Sequence, residues 1–400
     1  MVTKIAYFVS HPIQYQAPLL SKISTDPSID LTVYFSSDCS LQGYVDQGFG
    51  RIIKWDMPLT NGYSFKFLPS IGGNKKITFW SPFSHGIYKI LRTENYDFVW
   101  IHGYARFLNL RIILIAKLLG IKVMIRDEAT AISAKRGKIK KALKKIFFYF
   151  LKKNVDGFLA IGTMNSDYYY AHGIPIEKVF MVPYAVDNNF FQQKWKLNEK
   201  NINLIKKNLG LNPNRKIILF SSKLIKRKRP CDLLSAYIEL INTESDSRPY
   251  LIFVGDGELA SELKSKVKLK GLENDVIFFG FINQSRLPDF YSICDVFVLP
   301  SEFEPWGLVI NEAMNFCKPI IATSDVGATK DLIEQGVNGY TYKVGDTAAL
   351  KNHLKTILSN EELRVYLGQN GIKKIEKWNY ESDLFGLKQA INKLSKKNAY

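Results

Sequence analysis

Cysteine is scarce in this chain of 400 residues, which has only four: Cys39, Cys231, Cys294 and Cys317. They are widely spaced and form no CxxC pair, which excludes a disulfide framework and a zinc ribbon and suits a reducing compartment. No run approaches the ~20 apolar residues that span a bilayer. The opening apolar run Ile5–Val9 stops at Ser10-His11-Pro12, too short for a signal peptide, and reads as a first buried strand. A cytoplasmic protein is therefore expected, in which the Asn283-Gln284-Ser285 sequon carries no meaning. Internal repeats and low-complexity tracts are also lacking.

Acidic residues are the other shortage: 37 Asp and Glu face 55 Lys and Arg, a net charge of +18. Such an excess implies an anionic partner: nucleic acid, an acidic membrane surface or a phosphorylated ligand. It leans toward the N-terminal half, where residues 1–190 hold 24 basic and 13 acidic side chains. What is present is globular: 46% hydrophobic and 23% charged residues, in a chain too long for one ordinary core.

Short apolar strands alternate with helical stretches, the pattern of an α/β fold with parallel sheets. Strands are expected at Lys4–Val9, Asp30–Phe35, Phe98–His102, Lys122–Ile125 and Gly157–Ile161. Ser36–Ser81, rich in Gly and aromatics, reads as a long loop region with one extra strand at most. Asn188–Asn214 is polar, without strand signal, and reads as an interdomain connection. A second set follows at Lys216–Phe220, Tyr250–Val254, Val276–Phe279, Val296–Leu299 and Pro319–Ala322. Trp378–Lys396 reads as a final helix. Two doubly wound sheets place a ligand cleft at the carboxyl ends of the strands.

Residues Lys135–Lys153 hold nine Lys or Arg and no acid. As a helix, they put Ile139, Ala142, Leu143, Ile146, Phe147 and Phe150 on one face and Lys140, Lys141, Lys144, Lys145 and Lys152 opposite. Phe148 falls among the lysines. The stretch reads either as a crossover helix with a solvated basic face or as a patch for an anionic leaflet, to which each Lys contributes roughly 1 kcal/mol. Nucleic-acid binding is not expected, because no RNA- or DNA-binding motif accompanies the charge.

The densest chemistry lies in Pro300–Met314, PSEFEPWGLVINEAM, which follows a buried strand and opens a helix near Gly307. Glu304 sits in the loop and Glu312 about a turn and a half into the helix, so both can face one ligand. Exposed N–H groups at the helix start suit a phosphate, and carboxylates suit vicinal hydroxyls. Phe220-Ser221-Ser222-Lys223 ends another strand and is followed by Lys226, Arg227, Lys228 and Arg229, cations placed to neutralise a leaving diphosphate. Val254-Gly255-Asp256-Gly257-Glu258 is a third strand-to-helix turn.

In this order the elements resemble the family 4 glycosyltransferases, which have the GT-B fold. The resemblance is close over residues 183–345 and loose elsewhere. It rests chiefly on EPWGLVINEAM, with Trp306 where Phe is usual. Supporting it are Val182–Asp187, Val254-Gly255-Asp256-Gly257, Ala322–Gly327 and Val337-Asn338-Gly339. It implies two Rossmann-like domains facing a central cleft: an acceptor-binding domain 1–188, a donor-binding domain 189–374, and a C-terminal helix 375–400 returning to the first. It implies a retaining, metal-independent hexosyltransferase acting in polysaccharide or glycoconjugate synthesis, with no cofactor beyond a UDP- or GDP-sugar donor. Glu304 would contact the transferred sugar and Glu312 the ribose. Lys223, standing where Arg is usual, and Lys228 would hold the diphosphate, with Ser222, Gly255 and the N–H groups of Trp306, Gly307, Leu308 and Val309.

The N-terminal half departs from the family pattern. Ser10-His11-Pro12-Ile13-Gln14-Tyr15-Gln16 replaces a Gly-rich loop, and Arg126-Asp127-Glu128 brings Glu128 near the usual position of a His. Asp127 or Glu128 is expected to orient a sugar hydroxyl, or to form a structural salt bridge with Arg126. His11 and His102 lie at strand ends on the same side and join the acceptor-side candidates. The expected partners are the nucleotide sugar, a glycan or lipid-linked acceptor, and an anionic membrane surface at Lys135–Lys153 that would hold the enzyme on the inner face of the cell membrane. The competing readings are a nucleotide-sugar binder without turnover and a basic nucleic-acid binder.

Overall fold

The computed structural model describes residues 2–46, 48–71, 77–133, 138–243 and 248–396. The chain divides into two compact units: Met1–Tyr44 with Ile53–Tyr184 and Tyr380–Tyr400, and Val45–Ile52 with Ala185–Asn379. The break at Tyr184 falls just before the boundary expected at 188. The assignment of Val45–Ile52 to the second unit has no counterpart in the sequence reading.

The first unit is built on a seven-stranded parallel sheet. Its order is Val179–Met181, Gly157–Ala160, Lys122–Arg126, Phe98–His102, Thr3–Val9, Ile29–Phe35 and Ser64–Phe67. Its central strands are near-continuous apolar runs, as expected where helices cover both faces. The sheet grows in both directions from the neighbouring strands Thr3–Val9 and Phe98–His102. The crevice at their carboxyl ends is therefore its topological switch point, where such folds bind ligands.

The second unit repeats the plan with six parallel strands: Val276–Gly280, Tyr250–Val254, Ile217–Ser221, Val296–Leu299, Ile320–Thr323 and Gly339–Tyr342. Its switch point lies between Ile217–Ser221 and Val296–Leu299. Every residue of both strands is buried.

Several elements differ from the sequence reading. Asn188–Asn214 is helical as far as Asn208, with helices Asn188–Asn198 and Ile202–Asn208. Asp187 caps the first by accepting the Phe190 N–H at 2.9 Å, which fixes its start. Ser36–Ser81 holds strands Tyr44–Asp46, Arg51–Ile53 and Ser64–Phe67, and Ser70–Ile71 pairs antiparallel with Phe83–Ser84. All four residues of Ser64–Phe67 are exposed, so this edge strand carries no burial pattern to read. The edge strands Val179–Met181 and Gly339–Tyr342 were likewise not expected.

The helix Tyr380–Lys396 belongs to the first unit and packs Gly386 against the Met181 carbonyl, an approach that leaves no room for a Cβ. It also supplies the true partner of Arg126. The guanidinium is buried 2.6 Å from Asp383 and donates to the Val182 carbonyl at 2.9 Å. The expected salt bridge to Asp127 or Glu128 does not form.

The basic helix, Lys138–Asn154, is rotated from its expected orientation. Ile139, Leu143 and Ile146 are 78%, 62% and 67% exposed, while Phe148 is buried. The sequence holds a second apolar stripe, Phe148, Leu151 and Val155, and this one packs. Phe148 lies 5.8 Å from Tyr104, 5.7 Å from Tyr168 and 4.3 Å from His172 by ring centroids, and Lys144 lies 4.4 Å from the centroid of the Tyr168 ring. Lys135 and Arg136 lie outside the described residues. Among the described residues no helix is long and apolar enough to cross a membrane.

Candidate functional site

At the switch point of the second sheet, the loop after Val296–Leu299 meets the loop after Ile217–Ser221. Glu304 sits in the first, pinned by its N–H to Asp325 O at 3.2 Å and by Gly327 N–H to its own carbonyl at 3.0 Å. Gly327 is required there, because a Cβ would run into the Pro305 carbonyl. The second loop supplies Lys228 and Arg227. Lys228 Nζ pairs with Glu304 Oε1, and Arg227 with Oε2 at 3.0 Å. Ser301 Oγ donates to Oε1 at 3.0 Å. Burial opposes ionisation of Glu304, yet the two cations hold its carboxyl below the usual range.

Glu312 lies in the short helix Leu308–Met314, buried, and accepts the Tyr291 hydroxyl at 2.6 Å. Burial pushes its carboxyl up to about 7. Gly307 precedes the helix with φ 101°, a left-handed conformation that favours glycine. The N–H groups of Leu308 and Val309 fall in the first turn, where helices offer no internal acceptor. The Trp306 side chain points into the unit instead, stacked 5.3 Å from Trp378 and donating to Asn311 Oδ1 at 2.9 Å.

Lys223 stands beside this cluster with an unforeseen partner. Its ammonium lies 2.7 and 2.8 Å from the two Asp46 oxygens and 4.8 Å from the Phe49 ring centroid. The segment Val45–Ile52 reaches further along the strand ends: Arg51 pairs with Asp256 at 3.7 Å and Phe49 lies edge-on to Phe281 at 5.0 Å. Gly255 packs against the Ser222 carbonyl, so its missing side chain serves backbone packing. No local pattern points to Asp46, which lies 177 residues from Lys223. Arg227 was visible only as one member of a basic run.

In the first unit Glu128 Oε1 accepts the hydroxyls of Tyr15 and Tyr184, each at 2.7 Å, and lies 4.0 Å from His102 Nε2. Gln16 accepts the Tyr7 hydroxyl at 2.9 Å and sets its amide nitrogen 3.0 Å from a ring nitrogen of His102. Arg126 stacks on the Tyr184 ring, 4.6 Å from its centroid. Asp127 turns away: it accepts the Ala129 N–H at 2.6 Å and is pushed up by burial to about 7. Asn165 Nδ2 also donates to Asp127 at 3.4 Å, whereas Glu128 is held by the hydroxyls of Tyr15 and Tyr184. His11 contacts Ser10 Oγ at 2.8 Å. Burial, then neighbouring positive charge, lowers His11 to about 4 and His102 to about 3, so both are neutral at pH 7.

Two switch points thus gather the candidates: Glu304, Lys228, Lys223, Ser222 and Glu312 in the second unit, and His11, His102 and Glu128 in the first. Residues 201–374 match the family model of glycosyl transferases group 1. The chain is 31% identical over 177 residues to N-acetyl-alpha-D-glucosaminyl L-malate synthase of Bacillus anthracis, covering 44% of this chain and 45% of that protein. It is 26% identical over 197 residues to alpha-D-kanosaminyltransferase of Streptomyces kanamyceticus, covering 49% of each. The chain spans about half the length of the curated relatives it matches.

Among solved structures, Anabaena HepE in complex with UDP matches with a TM-score of 0.73 at 17% identity, covering 98% of this chain and 100% of that one. A Rickettsia africae glycosyltransferase matches with a TM-score of 0.76 at 16% identity, covering 98% and 99%. These likenesses show the fold, two Rossmann-like α/β domains of the GT-B type. The family match and the curated relatives make the second unit similar to glycosyltransferases.

Proposed function

We propose that this chain is a retaining glycosyltransferase of family 4 that moves a hexose from a UDP- or GDP-sugar to a glycan or lipid-linked acceptor. The observation that carries the reading is the meeting of Glu304 with Lys228 and Arg227 at the switch point of the second sheet, with Glu312 on the adjoining helix. A sugar diphosphate needs cations at the diphosphate and carboxylates at the hydroxyls, and this crevice has both. In transfer, the bond from the sugar C1 to the β-phosphate oxygen breaks, a bond from C1 to the acceptor oxygen forms, and the acceptor proton is released. Lys228, Arg227 and Lys223 would stabilise the charge gathering on the diphosphate, work done elsewhere by a divalent cation. Glu304 would meet the transferred sugar and Glu312 the ribose. In the first unit, Glu128 would receive an acceptor hydroxyl.

The reading includes the membrane. Ile139, Leu143 and Ile146 stand exposed beside Lys140 and Lys145 on one helix, the make-up of an interfacial helix. An anionic surface would take the aliphatic stripe and the lysines together.

The test is turnover of UDP-, GDP-, ADP- and dTDP-sugars with EDTA present, with the anomer of the transferred sugar read by NMR. Selective turnover with retained configuration is the expected result. Binding without hydrolysis or transfer would instead identify a nucleotide-sugar binder.

A further inference from the structure

We propose that the first unit holds an oxyanion pocket built around Arg106, which takes a phosphate or carboxylate group carried by the acceptor. This rests on the sugar-transfer reading for the word acceptor, while the pocket itself rests on geometry. It lies at the switch point of the first sheet, where the chain leaves Thr3–Val9 at Ser10 and Phe98–His102 at Gly103. Ser10, Ser36, His102, Arg106 and Asn109 supply its polar lining, and the crevice is small and open to solvent, a place for one group of a larger molecule.

The charges in the pocket do not balance. Arg106 is the N-cap residue of the helix Phe107–Leu118, whose first turn holds no acid. A cation at that end faces the positive pole of the helix dipole, the unfavourable sense. Burial disfavours its charge further, and no carboxylate offsets the effect; only the Cys39 thiol acts in the other direction. Among the described residues Arg106 makes no ion pair. His11 and His102 feel its charge and are neutral.

The other polar groups already have internal partners. Ser36 donates to the Ser10 carbonyl at 3.0 Å, Ser10 Oγ contacts His11, and Asn109 donates to the Gly103 carbonyl at 3.0 Å. The guanidinium fork therefore stands in a half-buried crevice without an acceptor among the described residues, and a fork of this shape matches carboxylate and phosphate oxygens two at a time. His102 links the pocket to Glu128, 4.0 Å away. An acceptor whose anionic group pairs with Arg106 would present a nearby hydroxyl to Glu128, which makes it a phosphorylated or carboxylated polyol or sugar.

The chain has five histidines, so histidine-labelled protein gives a readable NMR spectrum. Inorganic phosphate and malonate are titrated separately at pH 7 without nucleotide. His11 and His102 are expected to shift together while His85, His172 and His353 stay still, and the anion effective at the lower concentration names the group. Arg106→Gln should raise the concentration needed at least tenfold, and Arg106→Lys should recover part of the response. No shift of His11 and His102 in the wild type, or an equal shift in Arg106→Gln, overturns the pocket. Calorimetry with nucleotide sugars reads the second unit separately. Nucleotide binding without the histidine response would remove the pocket and leave the transferase reading. The histidine response without nucleotide binding would do the reverse.

Discussion

Lys228 and Glu304 form a buried ion pair across two loops that leave adjacent parallel strands, and Arg227 takes the second carboxylate oxygen at 3.0 Å. The carboxylate is therefore ionised, fixed and partly neutralised before any ligand arrives. An incoming diphosphate would share these cations with Glu304. Glu304→Gln keeps the shape and removes the charge. Donor turnover should fall by roughly 10²–10³-fold, the size of effect seen when one preorganised electrostatic group is lost, with a much smaller change in nucleotide affinity. Turnover within threefold of the wild type would remove Glu304 from the chemistry.

Asp46 occupies Lys223 in the same crevice, so it would compete with a bound diphosphate for that ammonium. The pair is partly exposed, and such pairs are worth about 0.2–1 kcal/mol. Asp46→Asn should accordingly tighten nucleotide binding by up to about fivefold at low salt, an advantage that shrinks as salt rises. Weaker binding in the variant would mean that Asp46 positions Lys223 for the ligand.

Glu312 gives a pH signature. Its carboxyl is raised from 4.5 to about 7 by burial. The folded state therefore holds the proton more tightly than the unfolded chain. The resulting stability is full below pH 4.5 and is lost as pH rises through 7. Glu312→Gln removes this dependence. Chemical denaturation should find the two proteins diverging from pH 4.5 up to about 7 and running parallel above it, with the wild type losing relative to the variant by about 3 kcal/mol at most. Curves parallel over the whole range would show that Glu312 is ordinary in its titration.

The buried pair Arg126–Asp383 ties the C-terminal helix to the strand that leads into Glu128. Removing one partner of a buried pair costs about 3–5 kcal/mol. Asp383→Ala should therefore lower stability by that amount, read from urea unfolding of the first unit. A loss below 1 kcal/mol would mean that Arg126 finds other partners readily.

Much of the second unit was legible because its strands are continuous apolar runs and its chemistry sits in short local segments such as Pro300–Met314. The basic helix shows where that legibility ends. Two apolar stripes share the segment, and only tertiary packing decides that Phe148 and Leu151 go inward while Leu143 and Ile146 stay out. The Asp46–Lys223 and Arg126–Asp383 pairs join residues far apart in sequence, which no local pattern encodes. In the sequence Arg106 is a lone Arg after a strand and looks like any solvated cation; its lack of an acid is visible only in the folded crevice.

For the exposed stripe, Leu143→Glu with Ile146→Glu should abolish sedimentation with vesicles containing phosphatidylserine and leave nucleotide binding unchanged. Neutral vesicles should bind the wild type weakly, since each Lys contributes roughly 1 kcal/mol only at an anionic surface. Equal binding of wild type and variant would assign the stripe to another partner.

The most direct test of the central claim is calorimetric titration of UDP- and GDP-sugars into the wild type and Glu312→Ala, both in EDTA. The wild type should bind one nucleotide sugar selectively, and the variant, with unchanged circular dichroism, should lose at least tenfold in affinity. Equal affinity in the two proteins would contradict the placement of the donor at this crevice.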